Sequence, residues 1–336
     1  MCPSPPSSRI RRRPGVEGVG PPSTGRIVDG MIPPASTHTP ATLGRQPPLA
    51  RAGEDGTEEA LGDGEIFIFI IFLVASAVAL GTTRTGSLHR LYFRGNPGPG
   101  IVRLGVLGAM GWIWWVLMYR ADPSVTGVYT LFYLVMGFAL VKHLGQSLAA
   151  AYGARFRVDV VERRNVPAAL FIATFILCTG LIFGGSLWGE ADPVGDDEGG
   201  WWIPLTFFFL GWGCLLGAFA LFLRREKGRL RHRVRRERSM EDVRPAVLFL
   251  LAAAVTLTDA VAGDFWGWRH GLLTFGVLAL LVVAHQAFAN MAGPSRPGEE
   301  AEPITGRRLL ESGAYALLGL SAWGLNRILD LTLGAG

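Results

Sequence analysis

The chain has 336 residues, 49% of them hydrophobic and only 18% charged, with a mean hydropathy of +0.32. Its formal net charge is +5 and its pI about 9.4. Charges this sparse, gathered outside long apolar runs, exclude an ordinary soluble enzyme and point to a chain embedded mostly in lipid.

Residues 1–64 are rich in Pro, Gly, Ser and Arg and show neither helical nor strand period. Such a segment cannot bury enough apolar surface to offset its ordering entropy, so a disordered tail is expected. No apolar run before Ile66 resembles a secretory leader, and Met31 is an alternative start that would remove Arg11, Arg12 and Arg13.

Eight apolar segments follow, at about 65–82, 101–119, 127–145, 167–188, 201–223, 245–263, 271–290 and 312–332. Each is long enough to cross about 30 Å of hydrocarbon as a helix. The predicted fold class is all-α, a polytopic transmembrane helical bundle of about eight spans. Cys178 and Cys214 fall inside spans and Cys2 in the tail, a distribution that suits buried small hydrophobes rather than a disulfide framework or a metal site.

Charge divides the loops into two sets. Those after the first, third, fifth and seventh segments (83–100, 146–166, 224–244, 291–311) carry 20 Lys and Arg, and the alternate set (120–126, 189–200, 264–270) carries two, Arg120 and Arg269. By the positive-inside rule the basic loops are cytoplasmic and both termini lie outside, as expected of a multi-pass protein of the bacterial inner (plasma) membrane. Trp188, Trp201, Trp202, Trp266 and Trp268 border the outer loops, and Trp112, Trp114 and Trp115 lie in the outer half of the second span, at headgroup level. The outer loop Glu190–Gly200 holds Asp192, Asp196, Asp197 and Glu198 without a basic residue. It reads as a solvated acidic loop, with a weak divalent-cation site or cation funnel as the alternative.

The densest charge follows the fifth span, where nine of fifteen residues from Arg224 to Arg238 are Lys or Arg. Arg229, Arg231, Arg233, Arg235, Arg236 and Arg238 are the expected contacts to anionic lipid headgroups or a cytoplasmic partner, at about 1 kcal/mol each near the surface. Aromatic residues for base stacking are absent, so nucleic acid is not an expected partner.

An internal similarity is visible. Pro167-Ala168-Ala169-Leu170-Phe171 recurs as Pro245-Ala246-Val247-Leu248-Phe249, an offset of 78 (245 − 167), and Gly185-Ser186-Leu187-Trp188-Gly189 then matches Gly263-Asp264-Phe265-Trp266-Gly267 without a gap. The unit is one span inward, a basic linker and one span outward, with proline in the first helical turn, where its missing N–H is harmless. It tiles as 65–126, 127–200, 201–270 and 271–336, in parallel rather than inverted orientation. With its charged linker and the Arg164-Asn165-Val166-Pro167-Ala168-Ala169 start of a Gly-bearing span, this unit resembles the YjfL-type bacterial inner-membrane proteins, a family of unknown function built from repeated two-span units. The resemblance covers about residues 127–290 and implies location and architecture rather than chemistry; Val243-Arg244-Pro245 departs from it where Asn is expected.

Polar groups inside spans are the candidate functional residues. Asp259 lies near the outer end of span six, as an interfacial carboxylate or as part of a cation relay, with Arg327 of span eight as its expected partner. Asn326, Arg327 and Asp330 share the outer end of span eight. At the inner ends, Lys142 and His143 close span three and His285 closes span seven, as interfacial caps or, alternatively, as an axial pair for haem. No metal or cofactor is expected, and no Ser/His/Asp set, HExxH, CxxC or phosphate loop appears. The GxxxG spacings Gly180/Gly184 and Gly213/Gly217 mark helix packing. The expected role is a non-enzymatic scaffold or partner-binding membrane component, with association into a homo-oligomer or with a membrane partner; the alternative is a cation or small-solute channel or transporter subunit.

Overall fold

The computed structural model describes residues 61–83, 95–122, 125–189, 200–225, 229–232, 234, 238–262, 268–291 and 305–333. The tail, the acidic outer loop and most of the basic linkers lie outside the described residues. The long helices are α1 (Asp63–Thr83), α2 (Gly98–Tyr119), α3 (Val128–Ala151), α4 (Val166–Ser186) and α5 (Trp202–Arg225). After a four-residue helix α6 (Arg229–His232) come α7 (Met240–Ala260), α8 (Trp268–Met291) and α9 (Thr305–Leu333), and a π-helical segment, Phe156–Glu162, precedes α4.

All eight expected segments are therefore helical, and the chain is an all-α bundle. Among the described residues, seven helices are long and apolar enough to cross a membrane, which makes this a multi-pass membrane protein. The eighth, α9, has the length but not the hydropathy. Arg307, Arg308 and Glu311 fill its first turns and Asn326, Arg327 and Asp330 its last, leaving residues 312–325 as the apolar stretch.

Helix directions follow from which residues meet. Along α2 and α4, Gly105 lies against Ala173 and Ala109 against Gly180; Trp112 Nε1 donates to the Leu181 carbonyl at 3.1 Å. Along α4 and α7, Cys178 meets Leu250 and Gly185 meets Thr258. Along α7 and α9, Asp242 meets Arg308, Ala252 meets Gly319 and Asp259 meets Asn326. In each pair the numbers rise together, so α2, α4, α7 and α9 run in one direction and form a row. α3 and α5 run against them: Gly137 meets Phe183 while Gly145 meets Ile176, and Gly211 meets Ile182 while Phe219 meets Phe175. The ends of helices flanking the four basic loops therefore share one face of the bundle.

The row is held by backbone proximity. A Cβ on Gly105 would sit 2.9 Å from the Ala173 carbonyl oxygen, and one on Gly319 would sit 2.8 Å from the Ala252 Cα. Lipid supplies no hydrophobic drive between helices, so small residues that let backbones approach carry the association. Of the two GxxxG spacings, Gly180/Gly184 packs on Ala109 and Trp112, whereas Gly213 and Gly217 meet no side chain within 4 Å and face outward. Four buried threonines are satisfied within their own helices: Thr174, Thr179, Thr256 and Thr258 each donate to the carbonyl four residues back, at 2.7–2.9 Å. Large apolar side chains cover the outer faces, among them Phe67 and Ile70 of α1, Leu104 and Leu107 of α2, Phe275 and Val283 of α8, and Leu317 and Leu320 of α9. So much exposed apolar surface suits lipid rather than water.

Two sequence expectations are corrected here. Pro245 is not in a first turn: α7 begins five residues earlier, at Met240, with Ser239 as N-cap accepting from the Asp242 N–H at 3.3 Å. The pattern Ser239-x-x-Asp242 is the start signal, and it outweighs the one hydrogen bond that Pro245 removes from the helix interior. Consequently α4 and α7 start 74 residues apart (240 − 166), one helical turn less than the proline offset. His143 does not close its span either, because α3 continues two turns further, to Ala151.

Replacing Gly105 with valine should force α2 away from α4 and lower stability by about 1–3 kcal/mol, the usual range for overpacking. Gly213→Val, which adds its methyls to an outward face, should change stability far less. Unfolding of the purified protein in detergent, followed by far-UV circular dichroism, makes the comparison; equal losses would show that the row is not held by this approach.

Candidate functional site

Polar groups concentrate at the basic face of the row, starting with the helix entrances. Asn165 caps α4: its side-chain oxygen accepts from the Ala168 N–H at 3.1 Å, and its amide donates to the Val234 carbonyl at 2.6 Å, in the linker before α7. Asn96, at the start of α2, makes the same pair of bonds. Its oxygen accepts from the Gly98 N–H at 3.0 Å, and its amide donates to the Val160 carbonyl at 2.9 Å, in the linker before α4. Val160 and Val234 are both buried, each six residues before its helix begins. Arg164 and Arg238, the residues before the N-caps Asn165 and Ser239, both adopt φ +52°, a left-handed conformation uncommon for side-chain-bearing residues. The buried carboxylate of Asp159 steadies the first linker, accepting from the Arg155 N–H at 2.8 Å and lying 3.4 Å from Arg163 Nη1.

The basic linker is thus anchored to the bundle. Leu230 and Val234 turn inward and are buried, and Asn165 holds the Val234 carbonyl. Arg238 is exposed. The side chains of Arg229, Arg231, Arg233, Arg235 and Arg236 lie outside the described residues, but they alternate with the two anchored apolar positions.

Deeper in, α7, α8 and α9 enclose an ionisable cluster. The His285 and Glu311 side chains are each 1% exposed, with Nδ1 3.2 Å from Oε1. The Tyr315 hydroxyl lies 2.9 Å from the same Nδ1 and donates to the same Oε1 at 2.9 Å. Arg308 donates to Glu311 Oε2 at 3.2 Å and lies 3.6 Å from Asp242 Oδ1. The Phe222 ring of α5 stacks on the imidazole with centroids 4.0 Å apart. His285 is therefore no interfacial cap. Glu311 and Arg308, which the sequence places in a loop, belong to the second turn of α9, because that helix begins at Thr305. Glu311 and Tyr315 at i, i+4 share one face of a helix, and this spacing is the signal that could have revealed them.

The remaining candidates are spread out. Asp259 is half-buried and accepts from the Asn326 amide at 3.1 Å. The Arg327 and Asp330 side chains lie outside the described residues. Lys142 is half-buried on α3. His143 is exposed and bonds through Nε2 to the Ala75 carbonyl of α1 at 2.9 Å. His143 and His285 thus serve different helices and are not brought together as a haem pair. At the opposite face Arg120 lies 5.0 Å from the Trp188 ring centroid and 5.8 Å from that of Trp115, with Trp112 stacked on Trp115. This cation–π cage employs one of the two basic residues of the loop set that holds only two. No group of three or more metal-ligating side chains occurs among the described residues.

No family model matches the chain, and neither a curated protein nor a solved structure does.

Asn165→Ala removes an N-cap, worth about 0.5–2 kcal/mol, and frees the linker carbonyl it holds. Limited trypsinolysis in nanodiscs should then cut between Arg229 and Arg238 several-fold faster than in the unmodified chain, with cleavage elsewhere unchanged. Unaltered cleavage would mean that Asn165 does not tether the linker.

Proposed function

We propose that this is a non-enzymatic scaffold of the bacterial inner membrane that engages anionic lipid headgroups through its basic face. The observation that carries the reading is the anchored linker: Leu230 and Val234 are buried and Asn165 binds the Val234 carbonyl. Arginines alternate in sequence with these two anchored positions, and a basic residue that reaches anionic headgroups is worth about 1 kcal/mol. The basic face is the cytoplasmic one and both termini lie outside, in accord with the 20-to-2 division of Lys and Arg between loop sets.

The architecture is read as two-span units in parallel orientation, in keeping with the YjfL-type resemblance. Support comes from the parallel row and from two asparagines, Asn96 and Asn165, that each tie a helix start to the next unit's linker. The transporter alternative has less support. The inner cluster and the Asp259–Asn326 pair lie on the same seam, but the close approach of Gly319 to Ala252 lies between them. The row is packed as a structural element rather than opened around a midplane site.

Three measurements test this. In a background with Cys2, Cys178 and Cys214 replaced, a cysteine at Val194 should label from outside intact cells and one at Gly228 should not; the reverse result would overturn the orientation. In nanodiscs, replacing zwitterionic with anionic lipid should raise the unfolding temperature, and joint neutralisation of Arg231, Arg233, Arg235 and Arg236 to Gln should remove most of that gain. Salt of about 1 M should mimic the substitution, since the Debye length falls to about 3 Å. A gain that survives both would exclude headgroup docking, and binding of an acidic protein lost in the same variant would redirect it to a protein partner. Finally, proteoliposomes should show no cation flux sensitive to Asp259→Asn; flux lost in that variant would establish the transporter instead.

A further inference from the structure

Lys142 is a cation inside a membrane-spanning helix without a counter-charge. It is half-buried on α3 and makes no hydrogen bond or ion pair among the described residues. The charged group whose field reaches it is a like one, the exposed Arg103 guanidinium of α2. One turn further along α3, the side-chain amide Nε2 of Gln146 is buried with no hydrogen-bond partner. Residues 142 and 146 are i, i+4 and share one helix face.

The neighbouring elements supply no acid to this place. Between Glu65 and Asp159 the sequence holds a single acid, Asp122, beyond the far end of α2, and α4 and α5 hold none. Asp63 and Glu65 stand at the start of α1, at the opposite face, where Glu65 accepts from the Tyr129 hydroxyl at 2.7 Å. Asp159 and Glu162, the acids of the π-helical segment, lie beside Arg163 and Arg157 at 3.4 and 3.6 Å. His143 is turned to the Ala75 carbonyl. An ammonium, a guanidinium and an amide N–H gathered with no acceptor among them describe an anion site, and charge-assisted hydrogen bonds to a phosphate would answer all three.

The surface beside the donors decides which anion. Arg103 lies five residues from the start of α2, about 8 Å from the basic face at about 1.5 Å per residue. From it an uncovered apolar face runs along α2 towards the other side at i+4, i+8 and i+11: Leu107 is 67% exposed, a Cβ on Gly111 would meet nothing within 4 Å, and Trp114 is 47% exposed. A soluble anion would use the donors alone. A phospholipid uses the donors with its phosphate and the apolar face with an acyl chain.

We propose that α2 and α3 hold one anionic phospholipid from the leaflet at the basic face. Arg103, Lys142 and Gln146 donate to its phosphate, and one acyl chain lies along Leu107, Gly111 and Trp114. The site shares no residue with the basic linker and stands whether or not the linker docks on headgroups.

Native mass spectrometry of the full chain, delipidated in detergent and titrated with phosphatidylglycerol, tests the site. One lipid should bind ahead of the rest, and diacylglycerol with the same chains should not replace it. Lys142→Gln should weaken that first binding about tenfold, as expected for one charge-assisted hydrogen bond. Gln146→Glu, which supplies Lys142 with a carboxylate at i+4, should weaken it as much. Joint replacement of Arg231, Arg233, Arg235 and Arg236 by Gln should leave it unchanged, so this site and linker docking fail separately. Far-UV circular dichroism checks the fold of each variant, and Arg103→Gln, at an exposed position, takes the place of one that does not fold. Unchanged affinity in these variants, equal retention of diacylglycerol, or inorganic phosphate bound as tightly as the lipid would each overturn the proposal.

Discussion

Close approach of backbones along one row of parallel helices is the constraint on which the rest of this structure depends. Lipid tails are as apolar as leucine, so burying leucine between helices gains little, and what remains is dispersion at short range. The residues at the contacts, Ala109, Ala173, Gly185, Ala252 and Gly319, are small for that reason. Because α4 packs on both α2 and α7, it is buried almost throughout its length, whereas α1 exposes most of its surface. The polar chemistry follows from this inequality. An exposed histidine such as His143 satisfies itself at a neighbouring carbonyl, while a buried one such as His285 requires a carboxylate and a phenol beside it.

The number and placement of helices were legible because about twenty consecutive apolar residues have few other solutions. Helix ends were not. Hydropathy places the beginning of the last segment after Glu311, since a carboxylate in lipid is unfavourable on its own. It becomes tolerable when Arg308 and Tyr315, one turn away on either side, and His285 from another helix complete it. Single-residue hydropathy carries no information about such partners.

The two asparagines show how a short polar residue organises a membrane protein. Each satisfies a free N–H at a helix start and a carbonyl of the next linker, so one side chain fixes both the beginning of a helix and the neighbour it stands beside. Asn165 stands in the Arg164–Ala169 motif that the sequence singles out, whereas Asn96 is inconspicuous, because asparagine at a loop boundary is ordinary. At the opposite end indoles take this part, with Trp112 bonded to the Leu181 carbonyl and Arg120 resting on Trp115 and Trp188. One face is thus tied by hydrogen bonds to linkers and the other by aromatic stacking.

The shared direction of α2, α4, α7 and α9 has an electrostatic consequence. Peptide dipoles add along a helix to about half a positive charge at its N-terminus, and here four N-termini stand together at the basic face. The buried acids Asp159, just before α4, and Glu311, in the second turn of α9, lie on that side, as does the part-buried Asp242 in the first turn of α7. Each carboxylate has an arginine beside it, Arg163 for Asp159 and Arg308 for Asp242 and Glu311, and Asp242, in a first turn, also gains from the helix N-terminus. The dipole of the aligned row is opposed by that of the helices that run the other way, so the bundle gathers positive helix ends under the row without a comparable dipole overall.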